Sequence, residues 1–315
     1  MSHSLLALVT RSSDADEARW LTHLRAAMPG EDLRSLRGMS EAERAKVDVA
    51  IVANPDPADL TLLPNLKWVH SLWAGVERLM AELQGFTAPV VRLTDPELAR
   101  NMAEAVLAWT YYLQRDMPAY AQAQREKTWA PRPYVKPSQL RVGLLGLGKL
   151  GGRAAERLRE AGFQVSGWSR SLKDLEGVRC HAGDAGLAAL LGEADILVSL
   201  LPLTAQTRGL LNAARFAQMK PGAQIINFGR GPVIDDAALL AALQSGQIRH
   251  AVLDVFAVEP LPADHPYWTA PGVTVLPHIS AETDRDTASA LVAKNIAAWR
   301  SDGSLPETVD FAAGY

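Results

Sequence analysis

Cysteine is nearly missing from this chain: Cys180 is the only one in 315 residues. That excludes an intrachain disulfide and any metal centre built from several thiolates, and no metal is expected. Set between Arg179 and His181, the lone thiol reads as an inert residue rather than a reactive one. A dominant charge is missing too. The 32 Lys and Arg nearly balance 35 Asp and Glu, for a net charge of −3. No basic field therefore exists to hold nucleic acid or an anionic membrane surface, and an anionic ligand has to be met by a local positive site. Long apolar runs are absent, and nothing approaches the roughly 20 residues that span a bilayer. The short run Leu5 to Val9 has no basic region before it and no cleavage pattern after it, so it reads as a first strand rather than a signal peptide. The expectation is a soluble, cytoplasmic protein whose partner is a small molecule. There is no internal repeat and no low-complexity tract.

What is present is concentrated near the middle. Gly146-Leu147-Gly148-Lys149-Leu150-Gly151 directly follows the apolar run Leu140 to Leu145, and Arg153 to Ala161 has helical spacing. Strand, Gly-x-Gly-x-x-Gly and helix form the phosphate-binding turn of a Rossmann unit. The first glycine permits a tight turn, the second lets backbone approach a pyrophosphate, and the third lets helix pack closely on strand. The helix start adds free N–H groups and the positive end of its dipole. A dinucleotide is the ligand this context favours. A methyltransferase using the turn for another adenosine ligand is the alternative.

Before the turn, Leu5 to Val9, Val49 to Ala53, Trp68 to Leu72 and Val90 to Leu93 are strand-like, while Ala15 to Met28 and Val76 to Leu83 are helix-like. Such alternation argues for a parallel α/β sheet. A longer helical pattern, Asn101 to Arg115, leads into Met117 to Gln139, whose Pro131, Pro133 and Pro137 suggest an extended arm. Further strands are expected at Phe163 to Trp168, Ile196 to Leu200, Ile225 to Phe228, Ala251 to Val255 and Val273 to Leu276. Helix Asp284 to Ser301 and the tail Val309 to Tyr315 close the chain.

Three segments fall at carboxyl ends of these strands, the edge where open α/β sheets bind ligands. Arg230 stands between Gly229 and Gly231 on a turn, where its fork of donors could meet a carboxylate bidentately. Glu259 is pinned before Pro260, and His278 follows Leu276-Pro277. Taken singly, each reads as ordinary: a surface turn, a loop acid, a satisfied histidine. In this order they suit reduction of a 2-keto acid carbonyl, with arginine binding the anion, histidine donating the proton and glutamate orienting the histidine. His3, His23, His70, His181, His250 and His265 lack such context and read as structural or surface residues.

Together these motifs resemble the D-2-hydroxyacid dehydrogenase family, and within it the glyoxylate/hydroxypyruvate reductase A type. Leu200-Leu201-Pro202-Leu203-Thr204 with Thr207, Ser71 to Glu77, Thr94-Asp95 with Ala103-Glu104, the Asp254/Glu259 segment, and Val309-Asp310 with Gly314-Tyr315 add to the likeness, which covers essentially the whole chain. The resemblance implies two doubly wound parallel-sheet domains, a Rossmann nucleotide domain inserted into a flavodoxin-like substrate domain. Residues 1–100 plus 285–315 would form the substrate domain. Residues 101–284 would form the nucleotide domain, including a dimerisation arm over 101–138. It implies Arg230, Glu259 and His278 as the catalytic trio and the Trp73-Ala74-Gly75 loop as a carboxylate cradle. The cofactor would meet Gly146 to Gly151, Trp168, Ser169, Arg170, Lys173, Leu201, Pro202, Thr207, Phe228, Gly229, Asp254 and His278. The implied substrates are glyoxylate and hydroxypyruvate; a dehydrogenase for another D-2-hydroxy acid, or a dinucleotide-sensing corepressor of the same fold, are alternatives.

An NAD-selective site carries an acid at the end of the second strand for the adenosine ribose. Here that strand ends Trp168-Ser169-Arg170-Ser171 with Lys173 beyond, and no acid is present. Donors and cations point to the 2′-phosphate of NADPH, with NADH weaker; solvated loop charges are the plainer reading. Trp73 is bulky beside the cradle and either restricts the pocket to short acids or points into the core. Trp109, Tyr111, Tyr112, Trp129 and Tyr134 supply apolar area that suits either a homodimer or intrachain packing.

Overall fold

In the computed structural model, which describes residues 5–83 and 86–310, the chain divides into two compact units. One comprises residues 1–97 with 283–315 and the other residues 98–282. His3 and the terminal Gly314-Tyr315 lie outside the described residues.

The first unit holds five strands: β1 (Leu5–Thr10), β2 (Asp32–Ser35), β3 (Val47–Ala53), β4 (Trp68–Ser71) and β5 (Val90–Val91). They pair in the order β2-β1-β3-β4-β5, all parallel, the flavodoxin-like order. Central β1 and β3 are apolar almost throughout because helices cover both faces of the sheet. One face packs Val69 and Val90 with the helix Glu77–Glu82. The other packs Leu6, Leu8, Ile51 and Trp68 against helices Asp14–Ala27 and Arg285–Asp302.

The second unit holds seven parallel strands: β6 (Arg141–Leu145), β7 (Gln164–Trp168), β8 (Val178–His181), β9 (Ile196–Ser199), β10 (Ala223–Asn227), β11 (Ile248–Leu253) and β12 (Val273–Val275). Their order, β12-β11-β10-β9-β6-β7-β8, places the chain reversal between β6 and β9. That is the Rossmann order with one strand added, and its switch point lies beside the glycine turn after β6. The chain is thus α/β with two parallel sheets.

Local structure departs from expectation at three helices, besides two unforeseen strands, Asp32–Ser35 and Val178–His181. Met117 to Arg125 is a helix, not extended arm: Pro118 sits in its first turn, where a missing N–H costs nothing, and Ala and Gln follow. The helix after β6 starts at Lys149, inside the glycine fingerprint, rather than at Arg153. Helix Pro96–Gln114 begins five residues earlier than its apolar spacing suggests, opened by Pro96 with Asp95 accepting from the Glu97 amide. No helix among the described residues is long and apolar enough to cross a membrane, and no group of metal-ligating side chains occurs among them.

Candidate active site

The glycine turn after β6 is built by close approach at one glycine and open space at another. A Cβ on Gly151 would collide with the carbonyl oxygen of Gly146, so the helix Lys149–Glu160 can start this near the strand only with hydrogen there. Gly148 is the opposite case. It caps that helix, is exposed, and nothing lies within 4 Å of where its Cβ would stand. An open cradle over a helix N-terminus fits the pyrophosphate of a dinucleotide. Leu147 is buried and packs against Gly167, while Lys149 is exposed and Leu150 half-buried.

At the end of β7 the Trp168 carbonyl accepts from the Gly146 amide at 2.8 Å, and the indole N–H donates to the Gly183 carbonyl at 2.8 Å. The Ser169 hydroxyl donates to the Ser171 carbonyl at 2.7 Å, tightening the turn that carries exposed Arg170. Lys173 is also exposed. No carboxylate stands at this strand end, which fits a phosphorylated ribose better than a free diol.

After β9, Leu201 is buried and Pro202 half-buried. The Thr207 hydroxyl donates to the Pro202 carbonyl at 2.6 Å and accepts from the Thr204 amide at 2.8 Å. Thr207 is thereby engaged in shaping its own loop, a role that the cofactor-contact expectation did not include.

The turn after β10 positions the arginine by crowding. A Cβ on Gly229 would lie 2.6 Å from the Leu201 carbonyl oxygen, and one on Gly231 would collide with Phe256 backbone. Only glycine fits on either side of Arg230. Asn227 braces the same turn: its Oδ1 accepts from the Gly229 amide and its Nδ2 donates to the Arg230 carbonyl at 3.1 Å. Sequence reading assigned Asn227 no role; the signal was an Asn opening a Gly-containing turn. Arg230 is half-buried, with Nη1 donating to the Gly229 carbonyl, and Phe228 is buried beneath the turn.

Glu259 and His278, 19 residues apart, meet at 2.7 Å between Oε2 and Nδ1. The other oxygen, Oε1, accepts from the Phe256 amide at 2.8 Å. Because the carboxylate only accepts, Nδ1 carries the hydrogen, and Nε2 is the nitrogen left for a substrate. The hydrogen bond to Glu259 raises the His278 pKa above its ordinary value; partial burial opposes this, while the charges of Glu259 and Asp254 add to it. Burial pushes Glu259 up, but the bonds from His278 and the Phe256 amide, with the charges of His278 and Arg230, hold it below the ordinary range.

His278 adopts φ +57, a left-handed conformation that costs a non-glycine residue about 1 kcal/mol or more. Asp254, 1% exposed at the end of β11, holds it there: its two oxygens accept from the Ile279 and Ser280 amides at 2.8 and 2.9 Å. Arg230, Glu259 and His278 therefore converge within the unit of residues 98–282, on the carboxyl edge of one sheet that also carries the glycine turn.

The Trp73-Ala74-Gly75 loop belongs to the other unit. Trp73 favours one of its two readings. Partly buried, its indole packs edge-on against buried Trp20, 6.0 Å between centroids, and so lies against that unit's core. Its amide donates to the Ser71 hydroxyl at 3.0 Å, which leaves Ala74 and Gly75 as the cradle candidates. Among the remaining histidines, His250 is buried, with Nε2 2.9 Å from the Thr274 hydroxyl, and burial together with the Arg249 charge pushes it down to about 4. His181 pairs with Glu193, His23 with Asp286, and His265 accepts from the Tyr267 amide.

Residues 107–280 match the sequence model of the NAD binding domain of D-isomer specific 2-hydroxyacid dehydrogenases. The glyoxylate/hydroxypyruvate reductase A of Yersinia enterocolitica is 36% identical over 303 residues, covering 94% of this chain and 96% of its own length. Among solved structures, a D-isomer specific 2-hydroxyacid dehydrogenase from Xanthobacter autotrophicus, in complex with NADPH and MES, has a TM-score of 0.93 and 41% identity, each chain covered in full. An NADPH-dependent glyoxylate/hydroxypyruvate reductase from Sinorhizobium meliloti, in complex with NADP and sulfate, has a TM-score of 0.91 and 34% identity, covering 99% of this chain and 100% of that one.

Proposed function

The chain belongs to the D-isomer specific 2-hydroxyacid dehydrogenases, and from that premise we propose that it reduces the short 2-keto acids glyoxylate and hydroxypyruvate to glycolate and D-glycerate with NADPH. The observation that carries this reading is the 2.7 Å bond between Glu259 and His278 on the sheet edge that also bears Arg230 and the open cradle at Gly148. The Sinorhizobium meliloti relative is an NADPH-dependent glyoxylate/hydroxypyruvate reductase, and in this chain the strand end at Trp168 lacks the acid that would favour NADH.

The Gly146 to Gly151 turn would hold the pyrophosphate of the reduced dinucleotide, which would supply the hydride. The chain's own residues do the rest. Arg230 holds the substrate anion and polarises its carbonyl. His278 gives the proton on Nε2 to the carbonyl oxygen, and Glu259 keeps the ring charged and oriented while that proton is needed. Asp254 holds the loop that aims the ring. On the family resemblance, the Ala74 and Gly75 amides take the substrate carboxylate, and Arg170 with Lys173 meets the 2′-phosphate.

A homodimer is proposed on exposed aromatic area: Trp129 is 96% and Tyr134 60% exposed on the segment that follows helix Met117–Arg125. Sedimentation velocity distinguishes a dimer from a 34 kDa monomer.

The test of function is loss of reduced-nicotinamide absorbance with glyoxylate and with hydroxypyruvate, NADPH and NADH run side by side. Turnover favouring NADPH supports the whole reading. Turnover favouring NADH removes the assignment of Arg170 and Lys173. Cofactor binding with no turnover points to another keto acid or to a sensor of the same fold.

A further inference from the structure

The first unit buries a histidine completely. His70, in β4, is 0% exposed, flanked in the sheet by Ile51 of β3 and Val91 of β5. Its face of the strand also carries Trp68, whose ring lies 5.8 Å from the imidazole, and both pack under the helix Arg285–Asp302. An aliphatic or phenyl ring would fill this place without needing polar partners, since a buried polar group is costly unless hydrogen-bonded. His70 has both partners. Nδ1 lies 2.9 Å from the Ser71 carbonyl oxygen, and Nε2 lies 2.9 Å from Asn295 Nδ2 on that helix. A carbonyl only accepts, so Nδ1 carries the hydrogen and Nε2 receives one from the Asn295 amide. That requires a neutral ring, and burial pushes the pKa down to about 4, so the ring stays neutral near physiological pH.

The bonded carbonyl is where β4 ends and the candidate cradle begins. The following residues are pinned in sequence. The Leu72 amide donates to the Val52 carbonyl at 2.9 Å, the Trp73 amide to the Ser71 hydroxyl at 3.0 Å, and the Leu93 amide to the Trp73 carbonyl at 3.1 Å. Ala74 and Gly75 come next.

We propose that His70 is a positioning residue for substrate binding: bridged between Asn295 and the Ser71 carbonyl, it fixes the strand end from which the Ala74 and Gly75 amides are offered to the keto acid carboxylate. The proposal rests on the reading of those amides as the carboxylate cradle. His70 touches no reacting atom, so its loss weakens substrate affinity and leaves proton and hydride transfer intact.

Two variants test it. His70→Phe keeps a ring and removes both nitrogens; Asn295→Leu removes only the outer partner from a position on another element. KM for glyoxylate and the inhibition constant of oxamate should rise about tenfold in His70→Phe and less in Asn295→Leu, the size expected for losing one or two buried hydrogen bonds. The kcat should stay within about twofold and NADPH affinity should not change. Hydrogen exchange over residues 72–77 is measured in parallel on the wild-type NADPH complex, with and without oxamate. Protection by oxamate in the wild type, with KM raised in the variants, supports the proposal. Protection in the wild type with KM unchanged in both variants overturns it and leaves the cradle standing. No protection in the wild type overturns the cradle, and the proposal with it. Equal losses in kcat, cofactor affinity and melting temperature mark His70 as structural only and also overturn it.

Discussion

Glu259 bonds His278 through one oxygen and the Phe256 amide through the other, so the acid is fixed before it fixes the histidine. The Glu259–His278 contact contributes to two titration shifts of opposite sign: His278 is raised and Glu259 lowered. Between the two pKa values both groups are charged, and the pair favours the folded site; the benefit is lost as pH rises through the raised histidine value or falls through the depressed glutamate value.

Reduction needs His278 protonated, so its rate should fall as pH rises, with a midpoint above the ordinary histidine value of about 6.5. Glu259→Gln keeps an acceptor for the Phe256 amide but removes the charge. Its alkaline midpoint should move down toward the ordinary value, making the loss of kcat/KM larger at pH 8 than at pH 6. A pH profile of kcat/KM checks this, and an unmoved midpoint would separate Glu259 from the proton donor.

The two glycines of the turn should fail differently. Gly148→Ala adds a methyl to open space, so stability should change by no more than about 0.5 kcal/mol while NADPH binding weakens. Gly151→Ala forces a methyl onto the Gly146 carbonyl and should destabilise by about 1–3 kcal/mol, as overpacking does. Thermal unfolding beside cofactor titration distinguishes the two. Equal effects from both substitutions would leave the cradle assignment without support.

Arg230→Lys keeps the charge and loses the planar fork. Loss of a charge-assisted hydrogen bond, about 1.5–3 kcal/mol, should lower kcat/KM for glyoxylate roughly 10- to 150-fold. The flanking glycines impose the backbone, so the fold should be unaffected. Steady-state kinetics with circular dichroism checks both statements.

Arg170→Ala should reduce kcat/KM with NADPH by about tenfold or more and leave NADH nearly unchanged, because only the 2′-phosphate needs the added cation. Parallel assays with the two cofactors measure the ratio. An equal fall with both would return Arg170 to the role of a loop charge.

Much of this arrangement was legible in the sequence because it is local. The central strands are buried on both faces, so they read as apolar runs such as Val49–Ala53 and Ile225–Phe228. The glycine turn is written in six consecutive residues, and the order of Arg230, Glu259 and His278 survives in one dimension. Two of the four edge strands were not legible. Asp32–Ser35 and Val178–His181 each pair on one side only and stay partly exposed, so their composition carries no apolar signal. The helix Met117–Arg125 was hidden because Pro131, Pro133 and Pro137, all beyond its end, made the whole segment read as extended, although Pro118 suits a helix start.

The α/β class, the dinucleotide turn and the family could be read along the chain, because strand period, glycine spacing and motif order are properties of neighbouring residues. Which distant groups share a hydrogen bond is set by the folded arrangement. Glu259 reaches His278 across 19 residues, Asp254 reaches the Ser280 amide across 26, and His70 finds Asn295 across 225. The burial that holds His70 neutral and the Trp20 ring that claims Trp73 belong to packing between distant segments. Separation along the chain says nothing about desolvation or direction, and both set what a histidine or an indole does.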